Sequence, residues 1–224
     1  MPVNIAIDGP VGAGKSSVSD AVAKRLNILH LDTGAMYRAF GLAMLRMGVD
    51  PMDEQAVTQH ISDVNVSVRY EDGMQHTYLG TEDVTGLIRT GEVSAAASSA
   101  SSWPAVRRAM VAAQKRMAAE ADMLIDGRDI GTVVLDKSPA KIYLTASPEV
   151  RARRRYEQNL AAGDTTSYQE VLDALNQRDL QDMTRAMDPL RQAEDAVLLD
   201  TSNMSFDESV EAILQIVERV YGKQ

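Results

Sequence analysis

The chain has 224 residues, a formal net charge of −9 at pH 7 and a pI near 4.8, which excludes a sequence-independent grip on nucleic acid, because that needs a face rich in Lys and Arg. The absence of Cys removes disulfides, thiolate metal sites and a cysteine nucleophile, and His30, His60 and His76 are too scattered to form a ligand cluster. No signal-peptide pattern precedes the first apolar run and no run reaches membrane length, so a cytoplasmic protein with no membrane contact is expected.

Val3-Asn4-Ile5-Ala6-Ile7 is a short apolar run suited to a buried parallel strand, and residues 17–26 read as an amphipathic helix. Between them, Gly9-Pro10-Val11-Gly12-Ala13-Gly14-Lys15-Ser16 matches G-x-x-x-x-G-K-[ST] in full. In that pattern backbone N–H groups wrap the phosphates of a nucleotide, the Lys reaches the outermost ones, and the helix N-terminus adds its positive dipole end. Ile28-Leu29-His30-Leu31 is a second strand; Asp32-Thr33-Gly34 breaks it before a helix over about 35–47 whose Met36, Phe40, Ala43, Met44 and Met47 share a face. Arg38, in the first turn of that helix, lies near the strand's carboxyl end, where open α/β sheets bind ligands.

Residues 51–91 break this rhythm. Val64 to Tyr70 alternates, Glu71-Asp72-Gly73 turns, and residues 74–79 return, which predicts an antiparallel hairpin insertion with one wet face. The small-residue run 94–102 fits either a linker or a closely packed helix, and Pro104 suits the first position of a helix over 105–119. Met123-Leu124-Ile125-Asp126 is a third strand, and the charged Gly127-Arg128-Asp129-Ile130-Gly131 at its end is hard to explain by packing. Lys141 to Thr145 is a fourth strand, followed by a helix opened by Pro148 and carrying Arg151, Arg153, Arg154 and Arg155. A long polar helix is expected from after Gly163-Asp164 to about Met187, with Arg178, Asp182 and Arg185 on one face; strand 196–200 and helix 206–221 close the chain.

Parallel strands alternating with helices and a phosphate loop after the first suggest phosphoryl transfer, in which catalysis is mostly positioning and charge neutralisation. At this point a resemblance is specific: the chain resembles the bacterial cytidylate kinases of the nucleoside monophosphate kinase family over nearly its full length. The resemblance rests on Asp8-Gly9-Pro10, Asp32-Thr33-Gly34-Ala35-Met36-Tyr37-Arg38, Ile88-Arg89-Thr90-Gly91-Glu92-Val93, the segment from Asp126 to Val134, and Arg178-Asp179 through Arg185. It implies an α/β P-loop fold, a five-stranded parallel sheet flanked by helices, with a small antiparallel insertion and a helical lid. The implied organisation is a single kinase domain over 1–224, with a core at about 1–50, 91–150 and 188–224, a monophosphate-side insertion at about 51–90 and a lid at about 151–187.

The implied reaction is ATP + CMP, or dCMP, giving ADP and the diphosphate, with Mg²⁺ travelling on ATP. By the same resemblance Gly9, Pro10, Val11, Gly12, Ala13, Gly14, Lys15, Ser16, Ser17 and Arg154 contact ATP, and Lys15, Arg128 and Arg185 are the catalytic cations. Arg38 and Arg128 hold the monophosphate; Thr33, Ser98, Arg107 and Asp129 surround its sugar and base, and Arg178, Asp182 and Arg185 supply lid and ribose contacts. No dedicated protein metal site is implied, and Ser16-Ser17 leaves open which hydroxyl touches Mg²⁺. Relatives tend to carry further Arg where this chain has Leu180, Gln181, Met183 and Thr184. A monomer with only small-molecule partners is the expectation. Rival readings are a kinase for another acceptor such as UMP or AMP and a regulatory nucleotide-binding protein; for a GTPase, Asn176-Gln177-Arg178-Asp179 lacks the Lys of the guanine-reading motif. A nucleic-acid module on Arg151 to Arg155 is weakened by the net negative charge.

Overall fold

In the computed structural model, which describes residues 2–222, the chain opens with β1 (Asn4–Asp8), α1 (Lys15–Leu26), β2 (Leu29–Asp32) and α2 (Thr33–Met47). Then come α3 (Glu54–Gln59), a 3₁₀ turn (Ile61–Asp63), β3 (Val66–Glu71), β4 (Met74–Leu79), β5 (Glu82–Asp83), α4 (Gly91–Ala100) and α5 (Pro104–Glu120). The remainder is β6 (Met123–Gly127), a π-helical turn (Ile130–Val134), β7 (Ala140–Thr145), α6 (Pro148–Ala161), α7 (Tyr168–Thr184), β8 (Val197–Asp200) and α8 (Phe206–Tyr221). Five strands form a parallel sheet in the order β2-β6-β1-β7-β8, and β3, β4 and β5 form a separate antiparallel sheet. Among the described residues no helix is long and apolar enough to cross a membrane.

The chain divides into two compact units, one containing Leu29–Met123 and the other containing Asn4–Ile28 and everything described from Leu124 onward. In the second unit, Ile5 and Ile7 of β1 meet Val18 and Val22 of α1, Ile142 and Leu144 of β7, and Val210, Ile213, Ile216 and Val217 of α8 in one buried cluster. These α8 residues recur at helical spacing, and Ser205 with Glu208 forms a reciprocal capping box at its start, so packing and capping agree on where the helix lies. The buried apolar strand β1 sets the level at which the phosphate loop leaves the sheet.

In the first unit, α2 packs closely on α4. A Cβ on Gly41 would stand 2.7 Å from the Ala97 backbone nitrogen, which explains the small-residue run: it is a helix whose short side chains admit a neighbouring backbone, not a linker. The hairpin pairs Glu71 with Met74, leaving Asp72 and Gly73 as a two-residue turn with φ of 51° and 75°, the mirror-image turn that matches strand twist.

Several expected boundaries move by two or three residues. The helix expected from about residue 35 starts at Thr33, because Asp32, the last residue of β2, also accepts from the Ala35 N–H as the N-cap. The strand expected from Val64 begins at Val66, and β5 adds an unforeseen edge to the hairpin. The helix expected to reach about Met187 ends at Thr184, with Arg185 in extended conformation (φ −60°, ψ 145°), so Arg185 does not share a helical face with Arg178 and Asp182.

Candidate active site

The loop between β1 and α1 is bent by its glycines. Gly9 has φ 151°, and a Cβ there would lie 1.9 Å from the Leu144 carbonyl oxygen, so no side chain fits where the loop crosses β7. Gly14, at φ 85°, is the N-cap of α1, whose first N–H groups have no intrahelical acceptors and face any anion placed at that end. Lys15 is buried, and its ammonium donates to the Gly9 and Pro10 carbonyls at 2.8 Å each. Burial first, then the neighbouring Arg128 charge, pull its pKa to about 7 against the opposing pull of Asp126, Asp182 and Asp8.

Those neighbours define a charged cluster. Asp126, buried at the end of β6, accepts from the Ser16 hydroxyl at 2.8 Å. Asp8, at the end of β1, accepts from the Ile130 and Gly131 N–H groups at 2.7 Å each and so fixes the π-helical turn; burial pushes its carboxyl up to about 6. Arg128 donates from Nε to Asp182 at 2.8 Å. Burial raises the Asp182 carboxyl, but Arg128, Arg178 and Arg185 outweigh it and hold the group below its ordinary range. Arg185 donates to Asp129 at 3.3 Å and to the Asp188 carbonyl, while its Nη1 stands 3.7 Å from Asp182. Lys15, Arg128, Arg178 and Arg185 are thus gathered with Asp8, Asp126, Asp129 and Asp182, an arrangement suited to holding and neutralising phosphoryl oxygens.

Ser16 is the loop hydroxyl that meets a carboxylate. Among the described residues no three of His, Cys, Asp or Glu converge on a metal. The Ser16 hydroxyl and the Asp126 carboxylate stand side by side as hard oxygen donors, the ligand type that Mg²⁺ takes. Arg154 donates to the Thr201 carbonyl at 2.7 Å, and Arg151 is buried and turned toward the loop rather than exposed.

The first unit holds the other predicted residues. Arg38 donates to Asp32 at 2.8 Å, and the Asp32 backbone is clasped by the Gln75 amide, which accepts from Asp32 N–H at 2.7 Å and donates to its carbonyl at 3.2 Å. Thr33 is buried at the start of α2, Ser98 lies on α4, and Arg107, 1% exposed on α5, sits 5.8 Å over the Tyr37 ring. The sequence assigns no binding or catalytic role to Asp8, Asp126, Asp32, Gln75 or Asp179, and Arg151 enters only as one arginine of the expected lid segment. Asp126 was visible as a strand-end carboxylate, whereas nothing local marks Gln75.

A glycine loop with a buried Lys on a parallel α/β sheet, a strand-end carboxylate beside the loop hydroxyl and a set of clustered arginines define a P-loop phosphotransferase. The family model for cytidylate kinases matches residues 5–219. The chain is 48% identical over 218 residues to a cytidylate kinase of Mycolicibacterium paratuberculosis (97% of this chain, 96% of that protein) and 42% identical over 218 residues to one of Caldicellulosiruptor bescii, with the same coverage. A gluconokinase from Sinorhizobium meliloti 1021 shares the fold at TM-score 0.50 and 16% identity, covering 97% of this chain and 93% of that one. The chain belongs to the cytidylate kinase family.

Proposed function

We propose that the protein transfers the γ-phosphoryl group of ATP to the phosphate of CMP or dCMP, giving ADP and the nucleoside diphosphate, and that it works on free nucleotides in the cytoplasm. In this step an acceptor phosphate oxygen bonds to the γ-phosphorus as the bond to the β–γ bridging oxygen breaks. The observation that carries the reading is the gathering of Lys15, Arg128, Asp126 and Asp182 at the mouth of the glycine loop, in a chain of this family. The Lys15 ammonium exchanges the Gly9 and Pro10 carbonyls for β- and γ-phosphate oxygens, and the N–H groups of the loop and of the first turn of α1 hold the rest of the triphosphate. Mg²⁺ on ATP would spread the phosphate charge, with Ser16 and Asp126 the residues to hold it.

In the first unit, Arg38 is the residue for the acceptor phosphate, pre-set by Asp32 as a planar, doubly donating cation, and Thr33, Ser98 and Arg107 are its companions toward sugar and base. In the second unit, Arg128, Arg178 and Arg185 neutralise the transferring group with Asp182 holding them in register, and Asp129, which accepts from Arg185, is the carboxylate for the amino group of the base. α6 and α7 act as the lid that excludes water from the transfer. The test is product formation from ATP, Mg²⁺ and CMP followed by chromatography of the nucleotides, with Lys15→Met as control. The expected result is equal amounts of ADP and CDP and a loss of about a hundredfold or more in the variant. ADP without CDP, or a variant as active as the wild type, would refute it.

A further inference from the structure

We propose that Arg151 and Asp179 are positioning residues that set the phosphate loop for ATP by gripping both polar groups of one loop residue, Val11. The Val11 N–H donates to Asp179 Oδ1 at 3.1 Å, and Arg151 Nη1 donates to the Val11 carbonyl at 2.8 Å. The same Arg151 nitrogen donates to Asp179 Oδ2 at 2.5 Å, closing a ring through loop, α6 and α7, and Nε donates to the Ala146 carbonyl at 2.9 Å. Arg151 is 4% exposed and Asp179 9%, so neither stands ready to meet a nucleotide itself. Next to the grip, a Cβ on Gly12 would stand 3.4 Å from the Arg151 Cβ, and the Val11 side chain packs on Ala152, Val171 and Leu175.

The physical need lies in the loop. A segment with glycines at 9, 12 and 14 has few side chains to pin it and much backbone freedom to lose on binding. Anchoring its second residue past Gly9 at both N–H and C=O removes that freedom beforehand, so that the remaining N–H groups are already aimed when the triphosphate arrives. The grip also ties the loop to α6 and α7, the helices that carry Arg154, Arg178 and Asp182. An opposed pair suits this place, because each charge satisfies the other while both also hold the backbone.

The inference rests on the ATP reading of the loop, and the experiment separates the two. Equilibrium binding of Mg·ATP and of CMP is measured by calorimetry for the wild type, Arg151→Lys, Asp179→Asn and the double variant R151M/D179L, alongside thermal unfolding and the KM of each substrate. The double variant replaces the buried pair by apolar side chains of similar bulk, a change that folded proteins tolerate, but leaves Val11 ungripped. The expected result is Mg·ATP binding weakened roughly ten- to a hundredfold in the double variant, with CMP binding within about twofold of wild type and the protein folded. Asp179→Asn, which keeps an acceptor for the Val11 N–H, is expected to lose less, and Arg151→Lys, with no planar fork, to resemble the double variant. A double variant that binds Mg·ATP like the wild type overturns the proposal, as does an equal loss for both substrates tracking loss of fold. A wild-type protein that does not bind Mg·ATP would instead sink the ATP reading and this proposal with it.

Discussion

Binding of ATP should draw a proton into the protein, because Lys15 is held largely neutral above pH 7 in a site built for a polyanion. Burial, with Arg128 beside it, brings the Lys15 pKa from 10.5 to about 7. At about pH 8, then, roughly one amine in ten is protonated, whereas a bound triphosphate returns the group to its ammonium form. The uptake expected at Lys15 is about 0.9 proton per ATP near pH 8 and about 0.1 near pH 6, where the amine already carries its proton and the neighbouring Asp8 carboxyl, at about 6, is the group left to take one up. Calorimetric titrations in buffers of different ionisation enthalpy give this number as the slope of observed heat against buffer enthalpy, and Lys15→Met should abolish the uptake near pH 8. A slope that is the same at both pH values would refute the reasoning. The same shift has a stability consequence whose sign follows directly. Between pH 7 and 10.5 the unfolded chain binds a proton that the folded one does not, so stability rises with pH across that window. Lys15→Met should be more stable than wild type at pH 7, and the difference should narrow as pH rises toward 10.5.

Arg128→Met removes the cation that Asp182 holds at 2.8 Å, and should lower turnover and raise the KM for CMP while ATP affinity measured without CMP stays nearly unchanged. The reverse pattern would mean that the roles are assigned backwards. Gln75→Leu keeps the bulk but drops both hydrogen bonds to the Asp32 backbone, so Arg38 loses its seat; the KM for CMP should rise about three- to tenfold with the KM for ATP unchanged, and equal shifts in both would contradict the link. Gly9→Ala puts a methyl 1.9 Å from a β7 carbonyl oxygen and should cost on the order of 2 kcal/mol or more of stability, read as a lowered Tm. An unchanged Tm would show that the loop can shift away from Leu144 freely.

What was legible in the chain is what depends on near neighbours. The phosphate loop needs glycines and a Lys within eight residues, α8 announces itself by apolar spacing and its capping box, and the hairpin turns on Asp72-Gly73. The strand does stop at Asp32, but the same carboxylate also satisfies the Ala35 N–H and so starts α2 two residues earlier than expected. Arg185 fell off its expected face because nothing in its own neighbourhood reveals that the helix stops before it, where its guanidinium turns to the Asp188 carbonyl and Asp129. The arginine run of α6 looked uniform, yet Arg151 is buried on Val11 and Asp179 while Arg153 stacks on Tyr168 and Arg154 reaches Thr201. Contacts such as Val11 to Asp179, separated by 168 positions, leave no periodic or spacing signal.

An acceptor panel reads out directly whether the chain phosphorylates cytidine monophosphates. With Mg·ATP fixed, kcat/KM is measured for CMP, dCMP, UMP, AMP and GMP on the wild type and on Asp129→Asn. Cytosine offers an N4 donor and an N3 acceptor where uracil offers the reverse, so a buried carboxylate such as Asp129 should favour CMP over UMP by roughly ten- to a thousandfold, and its amide should narrow that ratio without reversing it. CMP and dCMP well ahead of every other acceptor is the expected result; UMP or AMP turned over as well as CMP would contradict it.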